Sequence, residues 1–240
     1  MRLLVFSHIE CEHPGMFRTH FSKSGVKWDT VEFHLGEKIP NLEPYDALWV
    51  MGGPMDVWEV AKYPWLLDEK DAIRIWVQEI KRPYLGVCLG HQLLADALGG
   101  KCGIQNPPEI GILEVELTKN GINDPLFQDM EKNQFCLQWH SVQVEEVPKN
   151  AIILASSPSC KVQAMRVGNV AWSMQYHVEV ERDTVEKWSK VPEYYSALEK
   201  SIGKESIEIL RQRSLELMPN FNYNCKKIFQ NFCTAVKKNI

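Results

Sequence analysis

A cysteine set between two glycines at the end of a short apolar run is the part of this 240-residue chain best suited to covalent chemistry. The segment Tyr84-Leu85-Gly86-Val87-Cys88-Leu89-Gly90-His91-Gln92 reads as a strand turning abruptly into a helix. Helical spacing then runs from Leu89 to Leu98 and stops at Gly99-Gly100. Glycines two residues to either side of Cys88 let the backbone bend and leave room beside the sulfur, the logic of a nucleophile elbow. Such a turn is expected to present the thiol outward. At a helix N-terminus the sulfur also meets unpaired N–H groups and the positive end of the dipole, which can draw its pKa from about 8.5 toward neutrality. The competing reading is a core cysteine packed as a small hydrophobe, and the paired glycines weigh against it.

A thiolate that attacks a carbonyl needs a proton shuttle, and the shuttle needs an orienting group. Trp172-Ser173-Met174-Gln175-Tyr176-His177-Val178-Glu179-Val180 offers both, because side chains two apart on an extended segment face the same way. His177 is the expected base and Glu179 its orienter. In isolation the pair would be an ordinary His-x-Glu at a strand end. The tetrahedral intermediate would need N–H donors, and two candidates are the amide of Leu89 and that of Gly53 in Gly52-Gly53-Pro54. Gly53 carries no side chain to obstruct it, and Pro54 cannot donate.

The elements that must position these groups alternate through the first half. Leu3–Phe6, Lys27–Leu35 and Asp46–Met51 read as strands, Met16–Lys23 and Pro64–Ile80 as helices. Strand, helix, strand in repetition predicts a mostly parallel sheet with helices on both faces. The second half predicts antiparallel additions at Gly111–Thr118, Gln134–Trp139, Ala151–Ala155, Lys161–Val167 and Val170–Tyr176. Beyond residue 181 the pattern turns helical. Ile207, Leu210, Ser214, Leu217 and Met218 share one face, and Cys225, Ile228, Phe229, Phe232 and Val236 another. These stripes are expected to pack on their own domain, a partner-binding face being the alternative. We therefore expect an α/β domain over 1–180 and a helical extension over 181–240 packed on it.

Composition narrows the classes. A net charge of -4 supplies no basic field for phosphate backbones, so nucleic acid is not expected as a partner. No apolar run reaches the roughly 18 residues of a membrane span, and the N-terminus reads as a first strand rather than a signal peptide. The seven widely spaced cysteines, without C-x-x-C, read as reduced thiols, and a cytoplasmic location follows as the expectation. His8, Cys11 and His13 cluster, but their spacing suits no standard zinc pattern; no metal and no cofactor are expected, and the segment reads as a loop near the edge of the site. His91 and His140 read as structural or substrate-adjacent.

Gly86-Val87-Cys88-Leu89-Gly90-His91-Gln92, the upstream Gly52-Gly53-Pro54 and the downstream Gln175-Tyr176-His177-Val178-Glu179 together resemble the class I glutamine amidotransferases over about residues 1–180. Pro64-Trp65-Leu66 and Gln138-Trp139-His140-Ser141 look closest to stand-alone members related to the glutaminase domain of GMP synthase. The resemblance implies a flavodoxin-like fold, a Cys88, His177, Glu179 triad, and Gly53 and Leu89 as oxyanion donors. It also implies a substrate site at Gly52, Gln92, Ser141 and Val142, L-glutamine as substrate, and a separate ammonia-accepting synthetase as a possible partner. Two departures stand out: Val178 replaces the usual proline of Phe-His-Pro-Glu, and Ser173 a usual glycine. A γ-glutamyl peptidase would use the same groups, and a non-catalytic regulatory subunit would need none of them.

Overall fold

The computed structural model describes residues 1–239. Arg2–Ser7 (β1), Lys27–Glu32 (β2), Ala47–Val50 (β3) and Tyr84–Val87 (β4) are strands, with helices Phe17–Lys23 (α1), Trp65–Ile75 (α2) and Leu89–Ala97 (α3) between and after them. β3 and β4 are buried along their whole length, as strands sandwiched between two helical layers must be. Alternation sorts their side chains. Leu3, Val5, Ala47, Trp49, Leu85 and Val87 face α1, while Leu4, Phe6, Leu48, Val50 and Tyr84 face α2 and α3.

The second half adds Lys101–Leu117 (β5), the short helix Lys119–Ile122 (α4), Asn133–Glu146 (β6), Ala151–Ser156 (β7), Ala164–Val167 (β8) and Ala171–Met174 (β9). One nine-stranded sheet results, in the order β2-β1-β3-β4-β9-β8-β7-β5-β6. Pairing is parallel from β2 to β9 and antiparallel from β9 to β6. The expected flavodoxin-like α/β class with antiparallel additions is what the chain adopts. β1, β3, β4 and β9 run parallel, so their carboxyl ends open on one edge, and the strand order reverses at β1, with β2 and β3 on opposite sides of it, the usual place for a ligand in such sheets.

Four helices follow: Thr184–Trp188 (α5), Pro192–Ser201 (α6), Ile207–Glu216 (α7) and Met218–Asn239 (α8). Cys225, Ile228, Phe229, Phe232 and Val236 of α8 are buried in the core layer that also holds α1. Trp188, Tyr194, Leu198 and Leu210 of α5 to α7 pack with Ile110, Leu137 and Trp139 of β5 and β6. Buried side chains of α5 to α8 thus pack beside strands of the sheet.

Several boundaries differ from expectation, each for a local reason. The second strand ends at Glu32, because Phe33–Leu35 form a 3-10 turn closed by Gly36 at φ 78°. The helix expected to reach Ile80 is regular only to Ile75 and widens into a π-helical turn over Trp76–Ile80. β5 begins at Lys101 rather than Gly111; its first part carries Pro107 and Pro108 and a register shift between Ile104 and Glu109, so no apolar alternation marks it. β9 stops at Met174, which leaves His177 beyond the strand.

Candidate active site

Cys88 occupies the bend between β4 and α3 at φ 52°, ψ −104°, a conformation that L-residues adopt only under strain. Its N–H donates to the Met174 carbonyl at 2.9 Å, tying the bend to β9. A Cβ on Gly86 would lie 2.5 Å from the Gly90 oxygen, and one on Gly90 would run into the Val50 carbonyl. The flanking glycines thus let helix and strands approach one another, rather than clearing space for a ligand as the sequence suggested.

The sulfur is also less open than expected. Cys88 is only 4% exposed. Burial pushes its thiol above the ordinary range, and the neighbouring charge of His177 pulls it only part of the way back. The expected fall toward neutrality is therefore not what the free site shows: desolvation outweighs the helix terminus.

His177 is held from several sides. Its N–H donates to Leu137 of β6 at 2.9 Å, and Trp188 of α5 meets its ring edge to face at 4.5 Å. Nδ1 lies 2.5 Å from Glu179 Oε1, while Nε2 makes no hydrogen bond among the described residues. Burial would depress this imidazole, but Glu179 and Cys88 hold it well above the ordinary histidine range. The second Glu179 oxygen accepts from the Val178 N–H at 2.9 Å. That is a bond a proline could not make, so the departure at 178 carries its own compensation.

The two expected donors come together where β3 and β4 end. Gly90 N–H donates to Met51 O at 3.1 Å, and a Cβ on Gly53 would lie 2.9 Å from Leu89 Cδ2. Among the described residues no protein acceptor takes the N–H of Gly53 or Leu89. Gly53, Cys88, Gln92, Ser141 and Val142 line one narrow cleft, whose far wall is Glu193, Tyr194 and Ala197 of α6. Gly52 does not line the cleft; its carbonyl is turned to His8. The Gln92 amide donates to Val142 O at 3.1 Å and to Gln175 Oε1 at 3.2 Å, and Gln175 in turn reaches Cys88 Sγ at 3.7 Å.

Sequence reasoning missed Glu12, Tyr194 and Gln175. Glu12, His177 and Glu179 bring ligand atoms within 4.8 Å of one another, all buried. A cation bound to all three would compete with the hydrogen bond between His177 and Glu179. Burial raises Glu12 to a pKa of about 7. His8, Cys11 and His13 diverge: His8 pairs with Glu69, His13 accepts from the Gly15 N–H, and the Cys11 carbonyl accepts from Trp188. Ser173 Oγ lies 2.8 Å from His91 Nδ1, while Nε2 meets the Val162 carbonyl at 3.1 Å. Burial lowers His91 to about 3, so it is neutral and accepts from Ser173.

The signature of the glutamine amidotransferase class-I family matches residues 16–187. The chain is 32% identical over 145 residues to the glutamine-hydrolyzing GMP synthase subunit of Sulfolobus acidocaldarius, covering 60% of this chain and 72% of that one. It is 27% identical over 178 residues to gamma-glutamyl peptidase 3 of Arabidopsis thaliana, covering 70% and 69%. The crystal structure of a glutamine amidotransferase from Thermotoga maritima superposes with a TM-score of 0.86 at 27% identity, over 99% of this chain and 98% of that one. This protein belongs to the class I glutamine amidotransferase family, whose hydrolytic chemistry runs on a cysteine. No helix among the described residues is long and apolar enough to cross a membrane.

Proposed function

We propose that the protein hydrolyses the side-chain amide of L-glutamine to glutamate and ammonia through a γ-glutamyl thioester on Cys88. The observation that carries this reading is His177, with Nδ1 bonded to Glu179 and Nε2 left unpaired beside the cysteine. With its imidazole in the neutral form, His177 takes the thiol proton as Sγ attacks the amide carbon, and the carbonyl electrons move to oxygen, where the amides of Gly53 and Leu89 receive them. Collapse breaks the C–N bond as His177 returns the proton to departing ammonia. Water then attacks the thioester, again giving its proton to His177, and the sulfur leaves to restore the thiol.

Gln92 and the Ser141-Val142 backbone hold the amino-acid end of the substrate in this reading. The wall supplied by α6 narrows the cleft and favours a compact leaving group. The likeness to a glutamine-hydrolyzing GMP synthase component supports a separate synthetase as consumer of the ammonia, and likeness to a γ-glutamyl peptidase supports the alternative of a larger γ-glutamyl amide. Assay of purified protein with L-glutamine and with γ-glutamyl dipeptides separates them. Glutamate and ammonia released faster from glutamine are expected; a large preference for the dipeptides would replace glutamine as the substrate, and no hydrolysis of either would leave only the non-catalytic, regulatory role.

A further inference from the structure

The proposed mechanism does not use one buried pair that touches the oxyanion loop. His8, at the end of β1, lies with Nδ1 2.7 Å from the Gly52 carbonyl oxygen and Nε2 2.9 Å from Glu69 Oε1 of α2. Both side chains are fully buried. The ring is stacked against Phe33 at 5.8 Å and Trp65 at 5.6 Å, so its plane is set by packing as well as by hydrogen bonds.

We propose that His8 and Glu69 are positioning residues that preset the oxyanion hole, His8 holding the Gly52 carbonyl so that the Gly53 N–H faces the Cys88 cleft. This rests on the reading of Gly53 as an oxyanion donor. The Gly52 oxygen and the Gly53 N–H belong to one trans peptide and point in opposite directions. Fixing the oxygen on the His8 side therefore fixes the N–H on the other, where Gly53 lines the cleft. Two successive glycines have little intrinsic preference against turning that peptide over, and the flipped form would aim a carbonyl at the developing negative charge. A lock is needed, and His8 supplies it.

Proton placement follows from the partners. A carbonyl only accepts, so at 2.7 Å Nδ1 must carry a hydrogen. Nε2 then either donates to the Glu69 carboxylate or accepts from its carboxyl. Burial would depress His8, but Glu69 raises it above the ordinary range. Glu69 thus holds the ring through Nε2, and the ring holds the peptide through Nδ1.

The test compares substitutions at 8 in a Glu69→Gln background, which removes the risk of stranding a buried carboxylate. Glu69→Gln alone lets neutral His8 keep its Nδ1–H on Gly52, and His8→Asn places an amide N–H near the same point. His8→Phe keeps the aromatic stack and His8→Leu an apolar side chain, and neither can donate. Two rates are read on each protein: kcat for glutamine or the γ-glutamyl dipeptide that the wild type hydrolyses, and alkylation of Cys88 by iodoacetamide, a displacement that forms no oxyanion. Expected is a kcat in His8→Asn/Glu69→Gln within a few-fold of Glu69→Gln. Loss of about 100-fold or more is expected in whichever of the Phe and Leu variants folds, with alkylation unchanged. Retained kcat in the Phe or Leu variant, equal loss in the Asn variant, or a parallel fall in alkylation would each overturn the proposal. A wild-type protein that hydrolyses neither substrate would instead remove the reading beneath it.

Discussion

The hydroxyl of Tyr194 lies 2.6 Å from Oε1 of Glu12, joining α6 to the loop after β1 across 182 residues of sequence. The same carboxylate abuts Gly52 and sits beside His177 and Glu179. Glu12 and Tyr194 both lie outside the segment matched by the family signature, yet Glu12 joins the buried cluster with His177 and Glu179, and Tyr194 lines the cleft.

Glu12 should make stability fall with rising pH. Burial lifts its carboxyl from 4.5 to about 7 in the folded protein, so the folded state binds a proton that the unfolded state has already released. The stabilisation is complete below about pH 4.5 and is lost as pH rises through 7, a change on the order of 3 kcal/mol. Urea unfolding at pH 5 and pH 8 should show a smaller decline in Glu12→Gln than in wild type. Equal declines would mean that Glu12 ionises normally.

Glu179→Gln should leave His177 a weaker base. Losing the charge on Nδ1 lowers the His177 pKa. The acid limb of the kcat/KM profile against pH should move downward, with hydrolysis reduced about 100-fold or more. An unchanged acid limb would separate Glu179 from the imidazole.

Val178→Pro restores the residue usual in the family but deletes the N–H that holds Glu179 Oε2 at 2.9 Å. We expect a loss of about 1 kcal/mol in unfolding free energy and a several-fold fall in kcat. Higher activity in the proline variant would show that ring stiffness matters more than the hydrogen bond.

Backbone strain at Cys88 predicts an inverted ranking of two inactive variants. At ordinary φ a glycine is less stable than alanine by about 0.5–1 kcal/mol, but at φ 52°, ψ −104° the alanine pays the strain. Cys88→Gly should therefore unfold at a denaturant concentration no lower than Cys88→Ala. A clearly weaker glycine variant would place the strain elsewhere.

Ser173→Gly should destabilise without touching the chemistry. It leaves His91 Nδ1 buried without its 2.8 Å partner, a cost of about 1–3 kcal/mol. Thermal unfolding should shift down while kcat stays within a few-fold. A large kcat loss would assign Ser173 to the reaction.

The parallel half of the fold was legible because each strand there is a short, wholly buried apolar run: Ala47–Val50 and Tyr84–Val87 stand out by composition alone. The elbow was legible for a related reason, since glycines at 86 and 90 mark close approach whatever its purpose. The purpose was misread, and so was the exposure of the sulfur, because burial is decided by elements such as α6 that share no spacing with Cys88. The opening of β5 around Pro107 and Pro108 carries no alternation to read. Tyr194 meeting Glu12, and Glu69 meeting His8, are long-range pairs with no local signal; only the cluster His8 to His13 hinted that the first loop borders the site.

Rapid-quench mass spectrometry of the protein mixed with glutamine reads a covalent intermediate on Cys88 directly. Expected is a transient mass increase of one γ-glutamyl group, mapped to the peptide containing Cys88, absent in Cys88→Ala and disappearing as glutamate accumulates. Steady release of glutamate by Cys88→Ala at the wild-type rate, with no adduct at any time, would rule the thioester out.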